Sequence, residues 1–430
     1  MTDAELCASV REVFAQTIAR LDPARRVCDA LERRPIDERG VIVLAAGKAA
    51  PAMARGATAA LGARVRAGLV VSPEGSGEVP EGLEAMRAAH PIPDDRSLAA
   101  GRAVLEFVRA ARASERVLAL ISGGASALLC LPTAGLSLAD KVAATSAVMA
   151  AGAPIDELNA VRKHLSAIKG GRLAAASPAP VTTLALSDVL GDQLAAIASG
   201  PTVPDPTTFA DACRAVEASC GMTAIPAAAR DHLEAGRRGE RDETPKRARA
   251  GDRAEIIAGT GALVDEAIAA ARDRDGGAEA EELSRGIDGD VSEVAEMLAS
   301  AARRARKRAA ASGRPVWFVA GGEPTVRLPS DPGEGGRAHQ LALLVAERIA
   351  GIHGVVVLAA GSDGIDGSAR GAGAIVTGAT WKAIGEAGFD PADALRRFDA
   401  APALAAVGAQ IITGPTGVNH ADLILVAAIP

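Results

Sequence analysis

The strongest constraint on the fold of this chain is an alternation of short apolar runs with longer segments of helical composition. Runs at 41–46, 68–72, 117–121, 181–187, 255–258, 315–320, 355–360 and 423–428 read as strands. Segments 3–34, 49–62, 95–113, 137–151, 156–168, 261–273 and 290–311 read as helices. Strands that alternate with helices are the mark of parallel α/β architecture. A chain of 430 residues is too long for one ordinary core, so two domains are expected. The segment 236–253, GRRGERDETPKRARAGDR, is almost entirely polar and reads as an interdomain linker. That reading places one domain at 1–235 and a second at 254–430.

Composition then removes several function classes. Net charge is −6 and the chain has no Tyr, two Trp and six Phe, so neither the basic footprint nor the stacking surfaces of a nucleic-acid binder are present. No stretch of about 18 uninterrupted apolar residues is available to cross a bilayer. The N-terminus MTDAELCASVREVF lacks the basic-then-apolar order of a signal peptide. The five cysteines show no C-x-x-C spacing, which argues against a disulfide framework or thiolate zinc site and fits a reducing, cytoplasmic setting.

In open α/β sheets ligands bind beyond the carboxyl ends of strands, so the residues after each apolar run are the candidates for chemistry. They are glycine-rich throughout: Ala45-Ala46-Gly47-Lys48, Ser122-Gly123-Gly124-Ala125-Ser126, Ser187-Asp188-Val189-Leu190-Gly191-Asp192, Gly321-Gly322-Glu323-Pro324-Thr325, Gly361-Ser362-Asp363-Gly364-Ile365-Asp366-Gly367 and, before the last strand, Thr413-Gly414-Pro415-Thr416-Gly417. Glycine lets backbone N–H groups approach an anion closely. Lys48, at a strand-to-helix junction among alanines, offers a compact charge to a phosphate or carboxylate. It does not belong to a Walker A motif, since Ala49 stands where Ser or Thr would bind magnesium. Ser122, Gly123, Gly124 and Ser126 can cradle a phosphate or carboxylate. Asp188, Asp192, Asp363 and Asp366 supply hard oxygen ligands of the kind magnesium takes, or a base for a hydroxyl proton. The basic helix around Arg162, His164 and Lys169 suits a substrate anion, with His164 by itself reading as a structural histidine. Arg337, after Gly335-Gly336 at a helix start, suits two-pronged capture of an oxyanion.

Taken together, AAGKAA at 45–50, HPIPDDRS at 90–97, SGGASALL at 122–129, NAVRKHLSAIKGG at 159–171, LSDVLGDQLAAIASGPT at 186–202, GGEPTV at 321–326, AAGSDGIDG at 359–367 and TGPTGVNHADL at 413–423 resemble the glycerate 2-kinases with a C-terminal MOFRL domain, a family formerly labelled hydroxypyruvate reductases of tartrate metabolism. The resemblance implies an N-terminal Rossmann-like parallel sheet and a C-terminal α/β/α domain with its MOFRL core at about 314–428. It places the active site in the interdomain cleft, with ATP as donor, Mg2+ or another divalent cation, and D-glycerate as acceptor. It implies active-site roles for the Lys48 and Arg337 cations, and we expect Asp188 to act as a catalytic carboxylate beside them. We expect substrate or phosphate contacts from Ser122, Gly123, Gly124, Ser126, Arg162 and Lys169, nucleotide contacts from Gly47, Gly322, Glu323, Asp363, Asp366 and Thr416, and metal ligation by Asp188, Asp192 and Asp363. Where the family usually has Asn-Gln-Glu, this chain has Ala338-His339-Gln340. The oligomeric state is left open, a homodimer being admissible.

Two other readings stand beside this one. A nicotinamide-dependent reductase needs G-x-G-x-x-G, and both Gly259-Thr260-Gly261 and Gly371-Ala372-Gly373 lack the third glycine. A non-enzymatic sugar-acid binder would not need so many carboxylates beside glycine loops.

Overall fold

The computed structural model describes residues 1–38, 40–189, 191–274 and 277–430; Leu190, within the 187–192 loop, lies outside them. The chain divides into two compact units, one made of Pro23–Ser187 with Gln193–Ile257, the other of Met1–Asp22, Asp188–Asp192 and Ala258–Pro430.

The first unit is built on strands β1 (Val41–Ala46), β2 (Val65–Ser72), β3 (Glu84–Arg87), β4 (Arg116–Ile121), β5 (Val181–Leu186) and β6 (Arg253–Ala258), in the sheet order β3-β2-β1-β4-β5-β6. The pairs β1–β2, β2–β3, β1–β4 and β4–β5 are parallel. Every residue of β1 is buried, as expected for a central strand covered on both faces. Gly56 permits helix Ala50–Leu61 to meet helix Pro23–Arg33, since a Cβ there would lie 2.2 Å from the Ala24 carbonyl oxygen. Helices Leu138–Ala150, Ile155–His164, Phe209–Ser219 and Ala227–Arg237 bury a core of their own around Val148, Val161, Phe209 and Leu233.

In the second unit, β7 (Glu279–Ile287), β8 (Val316–Gly322), β9 (Val355–Gly361), β10 (Gly373–Thr377), β11 (Gln410–Ile411) and β12 (Asp422–Ala428) form a mixed sheet of order β11-β10-β9-β12-β8-β7. Only β7–β8 is parallel among these pairs; β12 runs antiparallel between β8 and β9. Helices Val291–Ser312 and Arg337–Arg348 pack on it through an alanine- and leucine-rich core.

The two expected α/β domains are therefore present, with two changes to their limits. Helix Asp3–Arg20, capped by a Thr2–Glu5 capping box, packs on helix Thr260–Arg274 and on β9, β10 and β12, and so belongs to the second unit. Arg20 pairs with Asp273 at 2.7 Å, and Asp3 Oδ1 accepts from Gly354 N at 2.9 Å. The polar segment 236–253 is exposed along most of its length but is tied to the first unit at several points. Thr244 is buried and its Oγ1 donates to Asp205 Oδ2 at 2.9 Å, while Asp252 Oδ1 accepts from Val181 N at 2.7 Å. Its charged residues fasten it to the first unit. Among the described residues no helix is long and apolar enough to cross a membrane, and Cys7, Cys28, Cys130, Cys213 and Cys220 are free thiols.

Candidate active site

In the first sheet the strand order reverses direction between β1 and β4, the switch point at which open α/β sheets bind ligands. The β1–β4 register ends at Ala46 opposite Ile121, so the Gly47-Lys48 and Ser122-Gly123-Gly124 loops leave the sheet side by side. They are laced together. Lys48 N donates to Gly123 O at 2.9 Å and Ala49 N to Ser122 Oγ at 3.1 Å. Gly47, at φ +128°, is where this contact demands glycine, because a Cβ would lie 2.1 Å from Ser122 Oγ. Ser122 thus serves the loop pair. The Lys48 side chain is exposed, and among the described residues its ammonium makes no hydrogen bond or ion pair.

Next to this crevice lies a cavity of about 280 Å³ whose lining includes His90, Gly124, Ser126, Lys141, Arg162 and Lys169. Three basic side chains line it, with no carboxylate among its described lining residues. Burial lowers the Lys141 pKa to about 8. Burial, then Lys141, also holds Lys169 well below the ordinary lysine range, and burial lowers Arg162. His90 is lowered by burial and by Lys48, which keeps its imidazole neutral near pH 7. The backbone beneath the cavity is strained. Ala198 and Ser199 adopt φ of +54° and +59°, left-handed values that cost roughly 1–3 kcal/mol each in non-glycine residues. Lys169 Nζ, donating to Ala198 O at 3.2 Å and to Ser126 O at 2.9 Å, helps hold that turn. His164 is structural, with its ring nitrogens 2.7 Å from Ala160 O and 3.1 Å from Glu243 Oε2.

The second unit carries its own cavity, of about 500 Å³, with Arg337, Asp363, Asp366, Asn419 and Asp422 in the lining. Arg337 Nε and Nη2 donate to the two Asp422 oxygens at 2.7 and 3.1 Å, and Nη2 also reaches Glu323 at 3.1 Å. The two-pronged contact expected of Arg337 is thus made to Asp422. Burial, partly countered by Arg337, raises the Asp422 pKa to about 6. Asp366 caps helix Arg337–Arg348, accepting from Ala338 N at 3.1 Å and His339 N at 2.7 Å, with His339 Nδ1 at 2.6 Å. Ala338 and His339 therefore meet Asp366 in the helix's first turn. Asp363 forms an Asx-turn with Ile365 N at 3.0 Å and remains half-buried at the cavity wall. Thr416 donates to Ser362 O at 2.6 Å, bracing the loop. Gly322 lies in β8, where a Cβ would meet Ile287 O at 2.1 Å.

Asp188 follows β5, and Asp192 lies at φ +49° with Oδ2 3.4 Å from Gly261 N. Among the described residues no group of three His, Cys, Asp or Glu side chains could hold a metal. A magnesium ion that arrives with a nucleotide needs only one or two carboxylates, and the cavity-wall position of Asp363 fits that demand. Lys141 and His90 were not singled out individually in the sequence. For Lys141 a signal exists, because it shares the buried stripe of its helix with Ala144 and Val148, where a lysine needs partners; its Nζ donates to Arg162 O and Leu165 O, each at 3.3 Å, at the cavity wall.

A doubly wound sheet with a lysine and glycine-rich loops at its switch point, beside a cavity lined by three basic side chains, defines an open α/β protein whose loops suit small anions. Comparison with known proteins narrows this. Residues 9–234 match the family described as Domain of unknown function (DUF4147), and residues 316–422 match the MOFRL family. The chain is 38% identical over 416 residues to the D-glycerate 2-kinase of Thermotoga maritima, covering 96% of each. It is 36% identical to the glycerate 2-kinase of Pyrococcus horikoshii, covering 98% of each, and 39% identical to a putative hydroxypyruvate reductase of Agrobacterium vitis, covering 96% of this chain and 92% of that one. The crystal structure of Thermotoga maritima glycerate kinase superposes with a TM-score of 0.90 at 36% identity, over 99% of this chain and 100% of that one. The chain belongs to the glycerate 2-kinase family, with DUF4147 and MOFRL regions.

Proposed function

We propose that this protein transfers the γ-phosphoryl group of ATP to the 2-hydroxyl of D-glycerate, giving 2-phospho-D-glycerate and ADP. The observation that carries the reading is the tricationic cavity beside the Lys48 and Ser122–Gly124 loops, in a chain similar along its length to D-glycerate 2-kinases. The cavity takes the glycerate carboxylate through Arg162 and Lys141. Lys48 stabilises charge on the transferring phosphoryl group. The new bond joins the 2-oxygen to phosphorus, the bond to the ADP oxygen breaks, and the hydroxyl proton leaves to a carboxylate, for which we assign Asp188. Asp363 is assigned to the magnesium carried by the nucleotide. The enzyme acts in the cytoplasm.

The reductase reading has less support. Gly373 is required by packing, since a Cβ would lie 2.0 Å from Ala359 O, and Gly259 and Gly261 pack against Asp192. The test is an assay coupled to enolase without phosphoglycerate mutase. Phosphoenolpyruvate should form from D-glycerate and ATP-Mg; a signal that needs the mutase would mean 3-phosphoglycerate and a misplaced substrate.

The lowered Lys141 pKa gives a second expectation. The ammonium is needed to hold the carboxylate and is lost as pH rises through about 8. KM for D-glycerate should therefore climb above that pH, approaching about tenfold per unit for one linked proton. Lys141→Met should raise KM at pH 7 and flatten this climb. A KM independent of pH between 7 and 9.5 in the unsubstituted protein would separate Lys141 from substrate binding.

A further inference from the structure

We propose that Ser126 is a specificity determinant: a one-way hydrogen-bond relay running from Lys169 through Ser126 and Ser199 to Asn159 fixes its hydroxyl as an acceptor for the second hydroxyl of a dihydroxy acid. The proposal rests on the assignment of this cavity to glycerate.

The direction of the relay follows from its far end. Ser199 Oγ donates its single proton to Asn159 Oδ1 at 3.0 Å. The 3.0 Å contact between Ser126 and Ser199 must then be donated by Ser126. Lys169 Nζ, 3.0 Å from Ser126 Oγ, accordingly donates to it. Its two other protons go to Ser126 O at 2.9 Å and Ala198 O at 3.2 Å. Burial and the nearby Lys141 and Arg162 pull the Lys169 pKa down, but three oxygen acceptors around the nitrogen favour the ammonium. Lys169, Ser199 and Asn159 are almost fully buried, whereas Ser126 is half-buried and lines the cavity.

Two consequences follow. Lys169 has no proton left for a ligand and acts through Ser126, as a positioning residue. Ser126 has given its only proton and received one, so the lone pair left to it asks for an O–H donor and repels a carboxylate oxygen. Glycerate brings such a donor, the primary hydroxyl that is not phosphorylated. Lactate does not, and a site built around a substrate hydroxyl rejects the analogue that lacks it. The left-handed backbone at Ala198 and Ser199 fits this scheme, since it brings the Ser199 hydroxyl between Ser126 and Asn159.

The experiment compares kcat/KM for D-glycerate and D-lactate, read as ADP release, in the unsubstituted protein and in Asn159→Leu, Asn159→Asp and Ser199→Ala, with thermal melts as folding controls. The unsubstituted protein should prefer glycerate by on the order of a thousandfold or more. Asn159→Asp keeps an acceptor at the end of the relay and should keep most of that preference. Asn159→Leu and Ser199→Ala free the Ser126 proton to point into the cavity, so glycerate should lose about tenfold or more while lactate is nearly unchanged. Equal losses for both acids, or an unchanged preference in both variants, would overturn the relay. Absence of glycerate phosphorylation in the unsubstituted protein would instead remove the functional assignment on which it stands.

Discussion

Replacing Lys48 with alanine should lower kcat/KM for glycerate phosphorylation by about a hundredfold or more, with the melting temperature unchanged. The side chain is exposed and makes no ion pair among the described residues, so folding loses little. The lacing of the two loops, Lys48 N to Gly123 O and Ala49 N to Ser122 Oγ, does not use the Lys48 side chain and persists in the variant. What disappears is a charge at the switch point, beside Gly124, whose own Cβ would lie 3.3 Å from the lysine Cγ. Steady-state kinetics with circular dichroism melts decide the matter. Near-normal turnover in a folded Lys48→Ala protein would remove Lys48 from the chemistry.

The largest stability effect is expected at Asp205. Its carboxylate is fully buried and accepts from Lys163 Nζ at 3.0 Å, from Thr207 N at 3.0 Å and Oγ1 at 2.7 Å, and from Thr244 Oγ1 at 2.9 Å. Asp205→Ala leaves Lys163 buried without a counter-charge and should cost about 3–5 kcal/mol. Burial pulls the Asp205 pKa upward, but the Thr207 hydroxyl and Lys163 outweigh it, and the net direction is down. A carboxyl lowered in the fold stabilises fully above its unfolded pKa of about 3.9 and loses that contribution as pH falls below it. Urea melts at pH 7 should show the loss, and the unsubstituted and variant proteins should converge in acid. A loss under about 1 kcal/mol would mean that the network is dispensable.

Much of this was legible in the sequence because central strands are apolar along their whole length. The runs at 41–46, 117–121 and 355–360 became β1, β4 and β9 with almost no change of limits. The strands that were not read lie at edges or are short. β7, Glu-Ala-Glu-Glu-Leu-Ser-Arg-Gly-Ile, exposes charged residues, as edge strands do, and so looks like a loop. The antiparallel setting of β12 was hidden for another reason: a strand buried on both faces reads the same in either direction. In the site, the glycine loops were visible as composition, but the partners of each side chain were not. Asp366 and Asp363 both precede or follow glycine and looked equivalent. The fold makes one a helix cap and leaves the other at a cavity wall. Likewise the polar segment 236–253 has the composition of a linker, and only the position of Asp205 explains why its threonine is buried.

Helix Asp3–Arg20 has a bearing on how the chain is made. Its partners begin at Thr260, so this helix leaves the ribosome long before them and must wait until the chain beyond that residue has been made. Synthesis at about 5–20 residues per second puts that wait on the order of ten seconds or more. Pro23–Ile257, apart from 188–192, can meanwhile close on itself. Throughout the interval Leu6, Val10, Val13 and Phe14 stay without their buried partners. Polar changes on this stripe would be felt as lower yield of folded protein before they are felt in catalysis.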